Sequence, residues 1–112
     1  MVNPYDKAHE LARALQESEP FRHVRDVRAK IRQDADAERM LNDFRTRQRE
    51  WQAKLLAGES SEDEAKQIEK LYEVVTLHSL IRELFEAERR AAVLMDDVFR
   101  IVGEPFKRLE EA

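Results

Sequence analysis

Residues 80–102, LIRELFEAERRAAVLMDDVFRIV, hold two apolar seams side by side. One is Leu80, Leu84, Ala87, Ala91, Leu94, Val98 and Ile101; the other is Ile81, Phe85, Glu88, Ala92, Met95, Phe99 and Val102. Both step by four and three residues, the spacing of a helix face. One seam docks a helix on one neighbour. Two adjacent seams make an apolar arc wider than a single hairpin partner can cover. Left in water, that arc would be a contiguous patch of a kind soluble monomers rarely carry. The stretch predicts a helix that turns part of its face to the rest of the chain and part to a second copy. Gly103 is expected to end it, with Pro105 preventing its resumption.

Working back toward the N-terminus, Ala65, Ile68, Tyr72 and Val75 mark an earlier helical stretch from Glu62, and Ser79 offers a cap for a fresh start after a kink or break near His78. Ser61-Glu62-Asp63-Glu64 has the capping-box form, Ser followed three residues later by Glu. Gly58 is the expected residue just past the preceding helix. That helix repeats Ala37, Leu41, Phe44, Gln48, Trp51 and Leu55 after a cap at Asp34. The loop of about Ala57 to Ser61 is short enough to fold the two helical regions into an antiparallel hairpin. Two shorter helices precede it. Asn3-Pro4-Tyr5-Asp6 opens the first, which turns Tyr5, Ala8, Ala12 and Leu15 to one side. Ser18-Glu19-Pro20 separates it from a second that carries Phe21, Val24, Val27 and Ile31. The expected fold is all-α: short N-terminal helices plus a long antiparallel helical hairpin, with the bundle completed by self-association.

The composition agrees. In 112 residues there are 2 Gly, 3 Pro and no Cys. So few breakers argue against a many-stranded sheet, and the length suits one domain across residues 1–112. Without Cys there are no disulfides, thiolate metal sites or Cys nucleophiles. No apolar run reaches the roughly 18 residues needed to cross a bilayer. MVNPYDKAHE has neither the basic start nor the apolar core of a secretory signal, so a cytoplasmic location is expected.

Chemistry is sparse. His9, His23 and His78 never follow Glu at the spacing used by helical di-iron bundles. Asp6 and His9 share a helix face, an arrangement that reads as a surface contact. His78 reads as a capping or hydrogen-bonding residue. Ser18, Ser60, Ser61 and Ser79 all fall at caps or loops, and Gly58 and Gly103 form no phosphate cradle. Glu88 interrupts its seam and needs a cation such as Arg45 or Arg49, or a wet edge; it reads as a register-fixing residue. No catalytic, cofactor or metal residues are expected. Charge is uneven: residues 22–54 carry ten Lys or Arg against six Asp or Glu, while the chain as a whole is at −4. Acids interleave with those bases, and Phe44 and Trp51 belong to a seam rather than to a stacking platform, which weighs against nucleic acid as a partner. The basic stretch reads instead as complementary to the acidic C-terminal region.

Several stretches carry a likeness to a known family: Asn3-Pro4-Tyr5-Asp6-Lys7-Ala8 with Leu11 and Leu15; Ser18-Glu19-Pro20-Phe21; Met40-Leu41-Asn42-Asp43-Phe44-Arg45; Gln48 through Gly58-Glu59; and Leu84-Phe85-Glu86-Ala87-Glu88-Arg89-Arg90. In order and spacing the chain resembles the YlbF/YmcA family of small helical bacterial proteins, and most closely its YheA-like branch. The resemblance implies a cytoplasmic protein forming dimers or larger homo-oligomers. It also implies a second role, as a regulatory accessory subunit of an RNA-processing complex that influences competence, sporulation or biofilm formation. The Cys-held iron–sulfur cluster linked to some relatives has no ligands here. The expected function is a noncatalytic, self-associating protein whose helix contacts use Leu84, Phe85, Ala91, Ala92, Leu94, Met95, Val98 and Phe99, with Phe44, Trp51 and Leu55 opposite. Ala87, Ala91 and Ala92 would let two helices approach closely.

Overall fold

The structure is a computed structural model that describes residues 3–112. Among the described residues there are five helices: α1 (Pro4–Glu17), α2 (Glu19–Arg32), α3 (Ala35–Leu56), α4 (Glu62–Val75) and α5 (Ser79–Glu111). Their starts are set locally. The Asn3 side chain accepts from the Tyr5 amide at 2.8 Å, Asp34 accepts from the Ala37 amide at 3.1 Å, and Ser61 accepts from the Glu64 amide at 3.2 Å. Each satisfies an amide that the first helical turn leaves without a carbonyl. Ser18 is extended and separates α1 from α2, its hydroxyl donating to the Leu15 carbonyl.

The α3 end shows why Gly58 is where it is. Its φ of +72° lets the Glu59 amide return to the Lys54 carbonyl at 2.8 Å, and the Gly58 amide to the Leu55 carbonyl at 3.1 Å. That pair of bonds closes a helix end only when the residue past the cap is left-handed, which glycine adopts without a Cβ clash.

The chain resolves into two compact units, residues 27–84 and residues 3–26 with 85–112. In the first, α3 and α4 pack as an antiparallel hairpin. Three contacts fix its register: Lys54 with Glu64 at 3.3 Å, the rings of Phe44 and Tyr72 at 6.1 Å between centroids, and Asp34 with His78 at 3.5 Å. The core of this unit is Val27, Ile31, Ala37, Phe44, Val75, Ile81 and Leu84.

The final helical region is broken, not continuous. α4 stops at Val75, where the Thr76 hydroxyl donates to the Tyr72 carbonyl at 2.8 Å. α5 then begins at Ser79, but the cap is His78: its Nδ1 accepts from the Leu80 amide at 3.2 Å. At the other end the expectation that Gly103 stops the helix fails. Gly103 keeps a negative φ and α5 runs on to Glu111 with Pro105 inside it. Proline costs one ladder bond to the carbonyl four residues back, and the fixed φ of its ring remains helical. The Lys107-Arg108-Leu109-Glu110-Glu111 run that follows consists of good helix formers.

Candidate functional site

In the unit made of residues 3–26 and 85–112, Ala87 is the buried residue among those described. α1 buries no side chain, and its Tyr5 is exposed. Arg90 of α5 reaches the Glu19 carboxylate at 3.4 Å and also contacts Nδ1 of His23, both on α2. These contacts are exposed, so they orient the helices more than they stabilise them.

The extension of α5 past Gly103 lengthens the second seam. Phe106 and Leu109 continue Ala92, Met95, Phe99 and Val102 with the same alternation of four and three residues. Phe99 is 65% exposed, Val102 59%, Phe106 75% and Leu109 71%. Earlier in the helix Ala91, Leu94, Met95 and Val98 are half-buried, and Ile101 of the first seam is 58% exposed like its neighbours. α5 is therefore partly covered as far as Val98, and from Phe99 onward it carries a row of large apolar groups in water. A soluble protein that keeps such a row is normally using it for contact.

The other expected contact residues fall differently. Phe44 and Leu84 are sealed in the core of 27–84, Trp51 and Phe85 are half-buried, and Leu55 is exposed near the hairpin turn. Ala92 is exposed and Met95 half-buried. Glu88 is half-buried within its seam. Phe106 and Leu109 were missed because the sequence reading stopped the helix before them; their place in the seven-residue repeat was the available signal.

Unit 27–84 carries a groove of about 520 Å³ between α3 and α4. Trp51, Ile68 and Leu71 supply its apolar lining, and Arg47, Glu50, Lys54 and Glu64 its charges. Trp51 Nε1 is buried there without a hydrogen-bond partner. A smaller hollow is lined by Arg28, Arg32 and Arg45 together with Glu38 and Asn42, so carboxylate and amide groups break up the basic surface. Among the described residues no three His, Asp or Glu side chains converge as a metal site would require. No described helix is long and apolar enough to cross a membrane.

Residues 5–107 match the family model described as control of competence regulator ComK, YlbF/YmcA. The chain belongs to the YlbF/YmcA family. Among its relatives, the UPF0342 protein of Shouchella clausii is 41% identical over 110 residues, spanning 97% of this chain and 93% of that one. The UPF0342 protein YheA of Bacillus subtilis is 35% identical over 109 residues, spanning 96% and 93%. This YlbF/YmcA-family chain is also similar to the solved structure of YheA from Bacillus subtilis, with a TM-score of 0.74, 30% identity and coverage of 96% and 99%. A DUF964 protein of unknown function from Bacillus stearothermophilus shares the fold at a TM-score of 0.87 and 24% identity, with 96% of each chain covered.

Proposed function

We propose that this YlbF/YmcA-family protein is a noncatalytic cytoplasmic module that works by associating with itself through α5. The observation that carries the reading is the change along that helix: half-buried Ala91, Leu94, Met95 and Val98 are followed by exposed Phe99, Ile101, Val102, Phe106 and Leu109. Fully burying one such side chain is worth roughly 1.5–3 kcal/mol, so several together offer a substantial drive to associate. Every one of them sits on a single continuous helix, so the contact row is already formed before docking.

Light scattering of the purified chain across a concentration series tests the reading. A dimer or larger species that becomes monomeric in Phe99→Glu and Phe106→Glu, with helical circular dichroism retained, is the expected result. A wild-type chain that stays monomeric at every concentration overturns it. Both residues are exposed, so neither substitution removes a core contact.

A second reading rests on the family description, which ties these proteins to control of a competence regulator. In it the protein is an accessory subunit, in a complex acting on RNA, that binds a protein partner. The α3–α4 groove supports this reading, because Trp51, Ile68 and Leu71 give it an apolar wall flanked by the charges of Arg47, Glu50, Lys54 and Glu64. Capture from cells with the full chain as bait separates the two readings: a specific protein partner favours the accessory role, and recovery of the protein alone favours self-assembly.

A further inference from the structure

α3 and α5 both start beside His78, and that one imidazole serves each of them. Its Nδ1 accepts from the Leu80 amide at 3.2 Å, and its carbonyl accepts from the Arg82 amide at 3.0 Å, so His78 is the N-cap of α5. Its Nε2 lies 3.5 Å from one carboxylate oxygen of Asp34, whose other oxygen accepts from the Ala37 amide at the start of α3. An acceptor at Nδ1 puts the neutral ring's single proton on Nε2, toward Asp34. Two helix starts are thereby joined through one ring in one tautomer.

The residue type is unusual for the position. Asn3, Asp34 and Ser61 cap α1, α3 and α4, and all three are ordinary caps. Histidine is not, and it is the side-chain type that changes charge between about pH 8 and pH 5. The added proton goes to Nδ1. An imidazolium donates from both nitrogens, so the Leu80 amide would face a donor and lose its acceptor. The positive ring would also sit at the positive end of α5. Asp34 acts in the other direction, because the charged ring keeps Nε2–H toward the carboxylate and gains an ion pair. Protonation therefore exchanges one contact for the other: the α3 side tightens and the α5 side lets go.

The surroundings leave that exchange to the two residues. Among the described residues Asp34 is the only ion-pair partner of His78. The ionisable groups beside it along the adjoining elements are Arg32 of α2, Asp36 and Glu38 of α3, Glu73 of α4 and Arg82 of α5. All are exposed, and Asp36 is paired with Arg39. Ile81 and Leu84 are buried in the core of 27–84 and hold the next turn of α5, which confines the opening to its first turn. We propose that His78 is a protonation-sensitive cap: charging its ring releases the first turn of α5 while the contact with Asp34 is kept. This device is independent of what covers the far end of α5.

Nuclear magnetic resonance of the full chain, titrated from pH 8 to pH 5, tests it. At pH 8 the His78 ring should carry its proton on Nε2. On acidification the Leu80 amide should shift with the same midpoint as the ring. Protection of the Leu80 and Arg82 amides, corrected for the intrinsic pH dependence of exchange, should fall roughly threefold to tenfold relative to α3 around Phe44. His78→Asn supplies an acceptor that does not titrate, so it should keep the cap and make that protection flat across the range. A ring that titrates while Leu80 and Arg82 stay equally protected overturns the proposal. So does a proton on Nδ1 at pH 8, or a pH response that persists in His78→Asn. Asp34→Asn is a second variant, which keeps a cap on α3 and removes the carboxylate. The charged ring then has no counter-charge, so the folded state disfavours protonation and stability is lost as pH falls. The urea midpoint of Asp34→Asn should accordingly drop more than that of wild type between pH 8 and pH 5; an identical drop counts against the exchange.

Discussion

Residues 27–84 bury Val27, Ile31, Phe44, Val75, Ile81 and Leu84, whereas residues 3–26 with 85–112 bury only Ala87 among the described residues. Both regions are made of amphipathic helices with the same seven-residue alternation. The difference lies in enclosure. In 27–84, α3 and α4 are held face to face by contacts at three levels, and their inward rows have neighbours. The corresponding row on α5 is exposed from Phe99 onward. Periodicity therefore establishes that a face is made to be covered, and it is silent on which chain does the covering.

The sharpest way to break this comparison is to truncate a ring in each region. Phe44→Ala should cost about 3–5 kcal/mol in urea unfolding, because it leaves a void beneath Tyr72 and between packed helices. Phe99→Ala, measured where the protein is monomeric, should stay within about 0.5 kcal/mol of wild type. A comparable loss at Phe99 would mean that its own chain already covers it.

Between these extremes lie the helix starts. Asp34 caps α3 through one carboxylate oxygen and faces His78 Nε2 with the other, while His78 Nδ1 caps α5. Asp34→Ala should cost about 1–2 kcal/mol, and His78→Ala a similar amount, with a double mutant costing less than the sum because the two share one network. Strict additivity in the thermal or urea data would remove the link. Ser61→Ala affects an exposed cap and should cost only about 0.5–1 kcal/mol. Hydrogen exchange sharpens the contrast without mutation: in dilute protein the α1 amides and those after Ala91 should exchange faster than those of α3 around Phe44, and raising the concentration should slow the former selectively.

Much of this was legible in the residues. Asn3, Asp34 and Ser61 are caps whose partners lie two or three residues away, so local sequence suffices to find them. Gly58 was readable for the same reason, since the motif it completes spans six residues. The break at His78-Ser79 was visible, but its acceptor is an imidazole nitrogen rather than the expected hydroxyl, a choice that depends on how the ring is turned. The α5 terminus was misread. Gly103 ends a helix only when it turns left-handed, and nothing adjacent to it forces that; Pro105 interrupts one bond in a helix that is sustained on both sides. The cost was two site residues, Phe106 and Leu109. The pairing of Phe44 with Tyr72 joins residues far apart in the chain, and a repeat read along one helix carries no information about its opposite number.

The position of the lone tryptophan has a practical consequence. Trp51 lies in the α3–α4 groove, and the residues proposed to meet a second copy, 99–109, contain neither Trp nor Tyr. Indole emission should therefore follow the melting of 27–84 and stay dark to docking along α5, so that fluorescence and light scattering recorded on one sample read unfolding and assembly as two independent signals.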